Sequence, residues 1–132
     1  MGLKGSGKTK KLVELVKKAV EEEHGDVVCI EKDKNLTYDI PYTARLIHAS
    51  EYGIASAELL RGFISGLHAG NYDICHVFID NFYKMLDDTS EDAIVSFLSW
   101  LDKFSLTQNV NFTISITVDP DTVSDRIKKY CL

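Results

Sequence analysis

The residues best placed to do chemistry stand at the start of the chain, in GLKGSGKT, residues 2–9. They satisfy the spacing G-x-x-x-x-G-K-[ST] in full. Glycines let the backbone curl until successive N–H groups face one concavity, where phosphate oxygens can replace water. Gly5, Ser6 and Gly7 would form that nest, and Lys8 would bring a compact positive charge to it. An amphipathic helix begins within a residue or two of Lys8 and would add the positive end of its dipole. The competing reading is a glycine-rich tail with accidental lysines. Four fixed positions arise by chance in roughly one chain of this length in a few hundred, and the helix that follows sharpens the signal further.

The segment resembles the Walker A loop of P-loop NTPases. The resemblance implies that Gly2, Leu3, Lys4, Gly5, Ser6, Gly7, Lys8, Thr9 and Lys10 hold a nucleoside triphosphate, ATP or GTP. Lys8 would face the β- and γ-phosphates, and the Thr9 hydroxyl would ligate Mg²⁺. Such a site needs a carboxylate for the metal's water shell at the C-terminal end of an apolar strand, where open parallel sheets place their ligands. CHVFID (75–80) fits, so Asp80 looks like the Walker B aspartate. Lys8, Asp80 and Asn81 are therefore the candidate catalytic residues, and Thr9 and Asp80 the candidate metal ligands. Asn81 departs from the pattern, because many ATPases of the additional-strand division carry a glutamate there. An amide can hydrogen-bond a water but cannot take its proton. Glu31, Glu51 and Glu58 are possible substitutes; nothing in the sequence selects one, and each reads as readily as a surface carboxylate.

The elements that must position these residues follow from hydrophobic period. Leu12, Leu15, Val16, Ala19 and Val20 form a helical stripe, with Gly25 as a stop. DVVCIEK (26–32) reads as a strand covered on both faces, and RLIHA (45–49) as a second short strand. Leu60, Phe63, Ile64 and Leu67 make the apolar face of a helix in which Gly62 and Gly66 suggest close helix–sheet packing. YDICHVFIDNF (72–82) is the strongest strand. Thr89 is the expected N-cap of the next helix, with Asp92 in a capping-box position and Ile94, Phe97, Leu98, Leu101 and Phe104 as its buried stripe. FTISITV (112–118) alternates as an edge strand does, and Asp119-Pro120 opens a short closing helix through Tyr130. Strands alternating with helices predict an α/β fold: a three-layer α/β/α sandwich on a mostly parallel sheet, with right-handed crossovers.

At 132 residues the chain reads as a single domain. A net charge of −5 gives no general attraction to nucleic acid or anionic membrane. Cys29, Cys75 and Cys131 are scattered; the first two lie in apolar runs and read as buried thiols, and no CxxC pair suggests zinc. No apolar stretch reaches the ~18 residues a membrane span needs, so a cytoplasmic setting is expected. Of the three arginines, Arg45 and Arg61 suit surface pairing and Arg126 is open, while His76 suits a satisfied core position and His68 a helix end.

The order loop, helix, strand, helix, Walker B strand, helix, strand resembles the RecA-like, additional-strand division, and small bacterial ATP-binding proteins are similar. Thymidine kinase is similar in layout, with Phe82 as the aromatic after the aspartate, but its zinc-binding cysteine pairs and post-aspartate glutamate are missing. The LSGGQ signature of ABC transporters is absent, and the chain has no room for the acidic and histidine boxes of secretion and twitching-motility ATPases. The resemblance implies a slow ATPase or phosphotransferase whose site a protein partner or second copy can complete; the alternative is a non-catalytic nucleotide sensor, and the third reading a thymidine-kinase-like nucleoside kinase. SITVDPDT (115–122) borders the base by analogy. In this fold a buried strand leads into the loop, and Met1 is expected to be its last residue, with about five apolar residues before it; the alternative is that another chain donates the strand.

Overall fold

The computed structural model describes residues 8–33, 39–116 and 126, with side chains from residue 10 onward. Helix α1 (Lys8–Glu22) leads into strand β1 (Asp26–Glu31). Strand β2 (Arg45–His48) and a 3₁₀ turn (Ala49–Tyr52) follow, then helix α2 (Ala57–Gly70) and strand β3 (Ile74–Ile79). A second 3₁₀ turn (Phe82–Met85), helix α3 (Glu91–Gln108) and strand β4 (Asn111–Ile114) follow among the described residues. The four strands form one all-parallel sheet in the order β2-β1-β3-β4, so the α/β expectation holds at this level.

Side-chain alternation divides the core in two. Val28, Ile30, Val77, Ile79 and Ile114 point to the face covered by α2 and α3, where Leu60, Ile64, Ile94 and Phe97 meet them. Val27, Cys29 and Phe78 point to the opposite face and pack on Leu12, Val13, Val16 and Ala19 of α1. Strands buried on both sides explain the nearly unbroken apolar runs of β1 and β3. The α1 stripe differs from expectation by one position: Val13 is buried, while Leu15 is 37% exposed.

Only three residues separate α1 from β1, and the helix packs along that strand. It must therefore run antiparallel to the sheet, with its first residue, Lys8, at the carboxyl edge of the strands. The turn between them is tight, since a Cβ on Gly25 would run into the Asp73 carbonyl oxygen and lie 2.8 Å from Cys75 Cβ. Glycine at this position is thus a packing requirement and not only a helix stop.

Several local expectations are corrected. Ser90, not Thr89, caps α3: its hydroxyl accepts from the Ala93 N–H at 3.4 Å. The cause is Asp88, whose carboxylate accepts the Ser90 N–H at 2.9 Å and sets the turn one residue later. Asp92 is consequently out of a capping-box position. Gly62 and Gly66 do not mark close packing; a Cβ on either would meet nothing within 4 Å. The last described strand is β4, Asn111–Ile114, with Ser115 in an isolated bridge after it; residues 117 and 118 of the expected strand lie outside the described residues. The closing helix after Asp119-Pro120 lies outside the described residues apart from Arg126. That side chain donates to Glu91 Oε2 and Asp92 Oδ1, each at 2.9 Å.

Candidate functional site

The register of the parallel strands brings four polar residues to one line. Glu31 pairs with His48; Ile30 pairs with Ile79, so that Glu31 and Asp80 stand at the same height; Ile79 pairs with Ile114, which sets Asp80 level with Ser115. All four share the parity of Leu46, Cys29, Phe78 and Thr113, and so lie on the face covered by α1. The row His48–Glu31–Asp80–Ser115 thus crosses the four described strands at their carboxyl edge, the level at which α1 begins. This is the position at which open parallel sheets bind ligands.

Asp80 is 3% exposed and held from several sides. Its backbone N–H donates to the Ile30 carbonyl at 2.9 Å, tying it to the end of β1. The Ser115 hydroxyl donates to Asp80 Oδ1 at 2.8 Å, and Asn81 Nδ2 donates to Oδ2 at 3.3 Å. Ser115 Oγ in turn accepts the Asn81 N–H at 2.9 Å. Asn81 adopts a left-handed conformation, φ 51 and ψ 53, which asparagine tolerates better than most residues. The turn it makes sends the chain away from the sheet, and Phe82 drops into the core under α3. There its ring stacks on Phe97 with centroids 4.9 Å apart, and none of it is exposed. Phe82 is therefore a core residue, not an aromatic available to a substrate.

Ser115 was visible in the sequence only as part of a stretch adjoining the site, and its role as the clamp on Asp80 comes from the fold. In Ser115→Ala, a buried carboxylate oxygen and the Asn81 N–H each lose a partner. We expect a loss of about 1–3 kcal/mol in urea unfolding, with the transition slope unchanged.

Glu31 is 2% exposed, whereas Glu51 and Glu58 are exposed. His48 Nδ1 lies 3.1 Å from the Asp33 carbonyl oxygen, which requires a proton on that nitrogen, and 3.5 Å from Glu31 Oε2. Burial first, then the charges of Asp80 and Glu31, push the Cys29 thiol up to about 12. As a buried, protonated thiol it is inert. Cys75 is half-buried with its thiol also raised, mainly by burial, and Cys131 lies outside the described residues.

One layer below, His76 is satisfied on both ring nitrogens, as expected of a core histidine. Nδ1 donates to Glu23 Oε2 at 2.7 Å, and Nε2 lies 2.8 Å from the Thr113 hydroxyl oxygen. Arg61 lies over the Trp100 ring, 5.3 Å from its centroid, in place of the surface ion pair expected of it. Arg45 is exposed at the amino end of β2, remote from the carboxyl edge. His68, in the last turn of α2, meets Tyr72 and Phe104 edge-on.

The chain matches no family model and no curated protein. Gly2, Leu3, Lys4, Gly5, Ser6 and Gly7 lie outside the described residues, as does the strand expected to end at Met1. Lys8 and Thr9 open α1, and Lys10 is exposed in its first turn. Among the described residues no three His, Cys, Asp or Glu side chains converge on a metal position. A Mg²⁺ ion does not require that, because it typically keeps several waters and rests on one or two carboxylates plus phosphate oxygens. Asp80, at the carboxyl edge facing the start of α1, fits that donor set. Among the described residues no helix is long and apolar enough to cross a membrane.

Proposed function

We propose that this protein binds a Mg-nucleoside triphosphate, ATP or GTP, on a P-loop NTPase fold, and turns it over slowly as an ATPase or phosphotransferase. One observation carries the reading: GLKGSGKT runs into α1, whose first residue lies at the carboxyl edge facing the buried, hydroxyl-clamped Asp80. Residues 2–10 would wrap the phosphates, with Lys8 countering their charge and Thr9 and Asp80 holding the metal. Bound Mg²⁺ would neutralise charge on the β- and γ-phosphates. Ser115 and Asn81 each donate to one Asp80 oxygen, which holds the carboxylate in a single orientation at the position proposed for the metal.

A non-catalytic nucleotide sensor is the second reading, and Asn81 favours it. The amide sits where a proton-accepting glutamate would be expected and donates instead to Asp80. Binding is common to both readings. Titration with ATP should raise the melting temperature in the presence of Mg²⁺ and not in EDTA. Absence of any shift with either ATP or GTP would overturn the proposal. Phosphate release at saturating nucleotide separates the two readings.

A further inference from the structure

We propose that Thr113, His76 and Glu23 act together as nucleophile, general base and orienting carboxylate toward a small, uncharged carboxylic ester. The inference goes beyond the nucleotide-binding reading and does not depend on it. The three residues come from β4, from β3 and from the position just after α1, and they meet on the sheet face that α1 covers. They lie below the carboxyl-edge row, because Thr113 is two residues before Ser115 and His76 four before Asp80.

The hydrogen bonds run in one line. His76 Nδ1 donates to Glu23 Oε2 at 2.7 Å, and Nε2 lies 2.8 Å from the Thr113 hydroxyl oxygen. In the neutral imidazole so held, the proton is on Nδ1 and the Nε2 lone pair faces the hydroxyl. A hydroxyl, an imidazole and a carboxylate linked in that order turn a weak alcohol into a nucleophile for acyl transfer. Stacking on Phe78, with centroids 4.0 Å apart, fixes the plane of the imidazole.

The line borders a cavity of about 160 Å³, and neither Thr113 nor His76 is sealed from solvent. Leu15, Ala19 and Phe78 give the cavity apolar walls that suit a short acyl group. Leu15, the member of the α1 stripe left 37% exposed, thus faces this space instead of the core. Lys18, also in the wall, brings positive charge to the carbonyl oxygen on which negative charge develops. Glu22 and Glu23 in the same wall disfavour an anionic substrate, which leaves a neutral ester as the chemistry that fits.

The reaction balances with water as its only co-reactant. Thr113 Oγ forms a bond to the ester carbonyl carbon, its proton passes to His76 Nε2, and the carbonyl π pair moves to oxygen. That pair returns as the bond to the alkoxy oxygen breaks, and the leaving alkoxide takes the proton from Nε2. Water repeats the cycle on the acyl-threonine, releasing the carboxylic acid and restoring the hydroxyl.

The test uses the full chain and p-nitrophenyl acetate, with acid quenching and peptide mapping. The parent should release p-nitrophenolate in a burst of about one equivalent and carry an acetyl group on Thr113. Thr113→Val should lose the burst, and His76→Gln should slow it ~10²-fold or more. Glu23→Ala should slow it as well and Glu23→Asp should recover part of the rate, which a purely structural glutamate would not produce. Acetyl mapped only to Cys75 or to lysines, or parent release no faster than that of Thr113→Val, would overturn the proposal. Should Thr113→Val not fold, parent release no faster than that of His76→Gln would do so. An unchanged rate in Glu23→Ala would overturn the part given to Glu23.

Discussion

In Lys8→Ala, Mg-ATP at a concentration one hundred times the parent's dissociation constant is expected to leave the melting temperature nearly unmoved. At that concentration the parent gains about 2.7 kcal/mol from binding. With an unfolding entropy of about 2.1 cal/mol/K per residue, a chain of 132 residues should gain about 10 °C. Removing a charged hydrogen-bond partner of a phosphate costs about 3 kcal/mol, a weakening of roughly 150-fold. The remaining stabilisation then corresponds to only about 1 °C. Differential scanning fluorimetry reads this directly, and the melting point of the variant without nucleotide controls for folding. A full shift surviving in Lys8→Ala would sink the phosphate-binding role of the loop.

The second large effect falls on stability. Phe78 lies at the centre of β3, 1% exposed, on the face covered by α1. Its ring stacks on His76 with centroids 4.0 Å apart and planes 10° from parallel. Truncation to alanine removes the apolar burial and leaves a cavity between sheet and helix, at a cost of about 3–5 kcal/mol. That is a large fraction of the roughly 5–15 kcal/mol that holds an ordinary domain together. Phe78→Ala should therefore melt about 10–18 °C lower and unfold at a markedly lower urea midpoint. A loss below about 1 kcal/mol would show that α1 is not packed on β3 as described. The same substitution bears on function, because Phe78 is two residues before Asp80 on the same face.

The carboxyl edge joins the candidate site to the core. Asp80 is rigid because Ile30, Asn81 and Ser115 all bond to it, and these residues come from or follow β1, β3 and β4. The 3₁₀ turn after Asn81 then buries Phe82, which couples the site's backbone to the α3 side of the core. A carboxylate proposed to hold a metal would benefit from this kind of support.

The sequence by itself determined what is local. The apolar runs of β1 and β3, the stripes of α1, α2 and α3, and the α/β alternation are all periodicities within a few turns or pleats, and period alone reveals them. Asp80 was legible because a charge ending an apolar strand is conspicuous. Local signals also failed locally: the Asp88 turn moved the α3 cap to Ser90, and Gly62 and Gly66 face open space. What is non-local emerges from the pairing of the strands. Ser115 follows Asp80 by 35 residues and Glu31 precedes it by 49, yet parallel pairing in the order β2-β1-β3-β4 sets all three at one height. A one-residue change of register would send any of them to the other face. No pattern in the chain announces that register, because it is set by which strands pair and by how the helices between them pack. That Glu31 is buried on the α1 face while Glu51 and Glu58 are exposed is for the same reason invisible in the sequence.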